Sequence, residues 1–146
     1  MKTEADEIRG WIEDASRNTG FQVSILPEAE ARELIALIIE RYVLGLPSWW
    51  WAQLKLPYVY FDRRTVKLSD VLPSSDGDIY LIPEYPDHEG SIFIVKAREV
   101  EAILDDCPGF EYTIVDKHAD WLATESHHDA LYICRWADIK LLGSGV

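Results

Sequence analysis

Phe110-Glu111-Tyr112-Thr113-Ile114-Val115-Asp116, Asp120-Trp121-Leu122-Ala123-Thr124-Glu125 and Ala130-Leu131-Tyr132-Ile133-Cys134-Arg135 are three runs dense in β-branched and aromatic residues. That composition at that length predicts strands. The turns between them, Lys117-His118-Ala119 and Ser126 to Asp129, are short enough to join antiparallel neighbours. An antiparallel sheet is therefore expected in the last third of the chain.

Working back towards the N-terminus, Ile92-Phe93-Ile94-Val95 and Ile79-Tyr80-Leu81-Ile82 extend the strand pattern. Between Ile92 and Phe110, Lys96 to Asp106 reads as a short helix with Val100, Ile103 and Leu104 inward, stopped by Pro108-Gly109. Tyr58-Val59-Tyr60-Phe61 and Thr65-Val66-Lys67-Leu68 read as two strands about the turn Asp62-Arg63-Arg64. Phe21, Val23 and Ile25 alternate with polar residues, as in a short strand or extended link. Two helices lead the chain. In the first, Thr3 caps, Asp6 follows three residues on, and Ile8, Trp11, Ile12 and Ala15 recur at helical spacing before Gly20. The second runs from about Pro27 to Leu44, with Glu28, Glu30 and Glu33 at its positive end and Gly45 to stop it. The expected fold is α+β: one domain over residues 1–146, an antiparallel β-sheet packed against two N-terminal helices plus one short helix between strands, with the helices on one side.

The 146 residues suffice for one buried core. No run approaches a membrane span, and the polar Met1 to Glu7 lacks a signal peptide's apolar segment, so a cytoplasmic protein is expected. Cys107 and Cys134 lack metal-ligand spacing and read as reduced thiols. A net charge of −12 argues against nucleic acid or anionic lipid as a partner. Residues 74–130 hold fourteen of the 26 acids against Lys96, Arg98 and Lys117, while 47–73 is mildly basic. An anionic surface of that kind selects a cationic partner.

Chemistry is harder to find. There is no Gly-x-Ser-x-Gly elbow, no Gly-x-Gly-x-x-Gly and no Walker loop, so no cofactor and no catalytic residue are expected. The densest cluster is Glu125-Ser126-His127-His128-Asp129. On an extended strand Glu125, His127 and Asp129 would share a face and could bind a metal or exchange protons, whereas His128 would point away. Adjacent histidines clamp a metal poorly; the plainer reading is a polar hairpin turn without metal. Trp49-Trp50-Trp51 cannot all enter one core, so one of them, Trp50, is a candidate binding anchor.

The stretch Phe110 to Leu131, with Glu111-Tyr112-Thr113-Ile114-Val115, Asp120-Trp121-Leu122 and Glu125-Ser126-His127-His128-Asp129, resembles a C-terminal signature of a family of small bacterial proteins of unassigned function. Asp78-Ile79-Tyr80-Leu81-Ile82 adds to the likeness. The resemblance implies a cytoplasmic α+β protein. Some such small acidic proteins sit beside toxin genes as immunity proteins.

Charge, size and compartment together lead to an immunity protein, not an enzyme, that occludes a basic toxin domain such as a nuclease. The expected contacts are Asp76, Asp78, Glu84, Asp87 and Glu89 from two loops, and Asp116, Asp120, Glu125 and Asp129 from the strands, with Tyr85 and Trp50 as anchors. A small enzyme built on Glu125, His127 and Asp129 is the alternative, and a DNA-mimicking phage-type inhibitor a second one. Oligomeric state is left open.

Overall fold

A computed structural model describes residues 3–45, 52–83, 91–126 and 128–144. The strands are β1 (Ser24–Ile25), β2 (Val59–Asp62), β3 (Asp78–Pro83), β4 (Phe93–Lys96), β5 (Tyr112–Asp116), β6 (Trp121–Glu125) and β7 (Ala130–Arg135). They form one seven-stranded sheet in the order β1-β4-β3-β5-β6-β7-β2. Every pairing is antiparallel. The helices are α1 (Glu4–Thr19), α2 (Glu28–Tyr42), α3 (Leu68–Val71), α4 (Val100–Asp105) and α5 (Trp136–Ser144). The α+β reading holds.

α1 starts as its sequence dictates: Thr3 accepts from the Asp6 N–H, and the Asp6 carboxylate accepts from the Thr3 N–H. It ends at Gly20, whose φ of 79° is the left-handed conformation that glycine adopts without strain.

The helices cover both faces of the sheet, not one. Ile79, Leu81, Phe93, Val95, Ile114 and Leu131 on one face meet Ile8 and Ile12 of α1 and Ile103 of α4. On the other, Ile82, Val115, Leu122 and Cys134 meet Leu34, Ile38 and Tyr42 of α2 and Ile139 of α5. The physical reason lies in the strands themselves. β3, β5 and β6 are buried almost throughout, and strands without a polar alternate need cover on both sides. Even the buried Thr113 and Thr124 are satisfied by each other, 2.9 Å apart.

The expected hairpin over 58–68 keeps only its first half. The Asp62 carboxylate accepts from the backbone and side chain of Arg64, and the Asp62 carbonyl accepts from the Thr65 N–H. Those bonds close a local turn that competes with strand pairing. The chain then enters α3, and β2 pairs instead with the distant β7, Tyr60 opposite Tyr132. α5 follows β7 directly at Trp136 and was not expected.

Candidate interaction face

The acids predicted as contacts go to two ends of the sheet. Asp78 faces Lys96 in register and Asp116 faces Ile79, so Asp76, Asp78, Asp116 and Asp120 share one end of β3, β5 and β6. Glu125 and Asp129 lie at the opposite end, roughly 15 Å away along the strands. The predicted Glu84, Tyr85, Asp87, Glu89, Trp50 and His127 fall outside the described residues. Asp76, Asp78 and Asp120 are exposed, whereas one Asp116 oxygen accepts from the backbone N–H groups of Asp120 at 2.6 Å and Trp121 at 3.1 Å. Asp116 thus shapes the β5–β6 turn. Lys96 and Lys117 lie at this end too, as does Arg41, which donates to the carbonyls of His118 and Ala119. The charge there is mixed.

Glu125 is tied into the fold. Its Oε1 accepts from the Tyr112 hydroxyl and, at 3.1 Å, from Arg63 Nε. Arg63 also donates through Nη2 to Glu101 at 3.4 Å and through Nη1 to the Val66 carbonyl at 2.6 Å. The same Glu101 oxygen accepts from the Leu68 N–H, where α3 begins. With Arg63, Glu101 and Glu125 only 17–19% exposed, one guanidinium bridges two carboxylates and pins β2, α3, α4 and β6 together. Burial raises the Glu125 carboxyl above its ordinary pKa, and Asp129 adds to this, against the opposing pull of Tyr112 and Arg63. Burial, then the neighbouring Glu125, drives the Tyr112 phenol well above its own. The chain does not continue past Glu125 as a strand: Ser126 is buried, and Asp129 turns back with φ 58°. Asp129 therefore does not share a strand face with Glu125, as an extended strand would have required.

Packing assembles an acidic surface that counting along the chain missed. α1 carries Glu4, Asp6, Glu7, Glu13 and Asp14 against Arg9 and Arg17; residues 98–106 carry Glu99, Glu101, Asp105 and Asp106 against Arg98. The two segments lie side by side, since Cys107 Sγ donates to the Trp11 carbonyl and Asn18 donates to Asp106 at 2.9 Å. Asp106 and Asp14 both help raise the Cys107 thiol, after burial, to about 11. Together they form a layer of net charge −6 whose acids, apart from Glu99 and Glu101, are exposed. The Asp76–Asp78 loop abuts it, because the Ala97 N–H donates to the Gly77 carbonyl just before α4. The missed signal was the amphipathic pattern of α1, whose polar face is mostly acidic.

A separate groove of about 900 Å³ and mixed character runs between β1, α2 and the ends of β3 and β4, lined by Leu26, Ile35, Ile82 and Ile92 and by the polar Glu28 and Arg32. Among the described residues no group of three or more His, Cys, Asp and Glu is placed to hold a metal, and no helix is long and apolar enough to cross a membrane. Comparison with protein-family models, with curated proteins and with solved structures finds no match.

Proposed function

We propose that this chain is a cytoplasmic immunity protein that binds and occludes a basic effector domain. The observation that carries the reading is the exposed acidic layer formed where α1 packs beside residues 98–106, extended by Asp76 in the adjoining loop. A folded surface of one sign steers an oppositely charged partner into place and repels like-charged competitors. Carboxylates held on helices would occupy a site that the effector uses for phosphate or another anion. Glu125 takes no part in this version, because its charge is already committed to Arg63 and Tyr112.

The test first asks whether a toxin-like gene adjoins this chain's own, and then uses the product of that gene. The intact chain should inhibit that effector stoichiometrically. Glu7→Lys combined with Asp105→Lys, both at exposed positions, should slow association at least about tenfold. Glu30→Lys, exposed on the other side of the sheet, should change little. Equal effects from the two sets of substitutions would refute the assignment of the face.

A further inference from the structure

β2 closes one edge of the sheet, and its outer side is unlike the rest of the molecule. Leu56, Tyr58, Val59 and Tyr60 form a run of exposed apolar side chains, Val59 and Tyr60 each at 56%. The Arg63 N–H donates to the Asp129 carbonyl, so odd residues of β2 turn their backbone groups towards β7 and even ones turn theirs outward. Of the outward groups, the Asp62 carbonyl is occupied by Thr65; Tyr60 presents both its N–H and its C=O at the open edge. The opposite edge strand, β1, has only two residues and runs into Pro27. Charge is segregated as well. Segments 46–73 and 131–146, which supply β2, β7 and α5, carry +2 and +1, against −15 on the remainder of the chain. A chain of net −12 repels its own copies, and that repulsion is weakest where basic residues outnumber acids.

We propose that β2 is the edge through which two copies of this chain associate, antiparallel about a two-fold axis beside Tyr60. The sequence is self-complementary in that register. Tyr60 faces Tyr60 of the second copy and exchanges two backbone hydrogen bonds with it; Val59 faces Phe61, and the Tyr58 hydroxyl faces the Asp62 carboxylate, each pair occurring twice. Within one copy Tyr132 already lies 5.3 Å from Tyr58 and 5.7 Å from Tyr60 between ring centroids, so pairing would join two aromatic clusters into one row. The Asp62–Arg64 pair and the turn that follows end the pairing at β2 and hold the register. Both acidic layers would stay clear of the contact.

Sedimentation velocity over a wide concentration range at physiological salt tests the proposal. The wild-type chain should shift from monomer to dimer as concentration rises. Tyr60→Lys sets two like charges opposite each other at the axis and should weaken the dimer at least tenfold, while the far-UV circular dichroism of the monomer is retained. If that variant loses its native spectrum, Val59→Lys carries the same expectation from the other face of the strand. A wild-type chain that stays monomeric throughout overturns the proposal, and so does a dimer that survives the substitution in a folded variant.

Discussion

Replacing Arg63 by Met keeps the length and apolar stem of the side chain but leaves Glu101 and Glu125 without their counter-charge. Removing one partner of a buried ion pair costs about 3–5 kcal/mol, since the remaining charge stays desolvated. At 17–19% exposure some water still reaches these groups, which places the expected loss at the lower end, about 3 kcal/mol. That figure includes the bond from Arg63 to the Val66 carbonyl, itself about 1 kcal/mol. Equilibrium unfolding in urea reads it directly. With a slope of about 2 kcal/mol per M, the midpoint should fall by about 1.5 M. Adding Glu125→Gln should recover about 1 kcal/mol, because one unpaired charge has gone. Arg63→Lys should be intermediate, keeping a cation without the planar fork that reaches three acceptors. A midpoint shift below about 0.5 M for Arg63→Met would show that water screens the cluster and that the pin is not needed.

Glu125 has a raised pKa in the folded chain, so the fold binds its proton more tightly than the unfolded chain does. Stability should therefore rise as pH falls from neutrality through the folded value, and Glu125→Gln should flatten that slope in urea titrations run at a series of pH values. Burial pushes the Cys134 thiol up to about 12 and the Cys107 thiol, helped by Asp106 and Asp14, to about 11. Iodoacetamide at neutral pH should therefore label the native chain slowly, with half-buried Cys107 ahead of buried Cys134 and both fast in urea, as peptide mapping can show. Tyr42→Phe removes a buried hydroxyl that donates to the Ala119 carbonyl at 2.5 Å; it should cost about 1 kcal/mol in the same unfolding assay, Arg41 still donating to that carbonyl.

What could be read from the chain was what local chemistry decides. β5, β6 and β7 follow from apolar runs and short turns, and α1 from Thr3, Asp6 and Gly20. What escaped depends on contacts between distant segments. β2 sits beside β7 because the turn after Asp62 is closed by side chains, a choice invisible in the alternation of Thr65 to Leu68. α5 begins at Trp136 without a capping residue or breaker, so nothing in the sequence separated it from β7. The acidic layer of α1 and residues 98–106 escaped for a related reason. A window over 74–130 counted charge along the chain, whereas Asn18 and Asp106 meet across the fold and bring α1 beside α4. Glu125 looked available because its partners, Arg63 and Tyr112, are supplied by other strands and a distant turn.

The association rate of the chain with the basic effector domain proposed as its partner, measured by stopped flow across a range of ionic strength, tests the central claim most directly. Steering by an exposed acidic face predicts rapid association at low salt that falls steeply as salt screens the charge, with dissociation changing far less. An association rate indifferent to salt, or no complex at all, would contradict it.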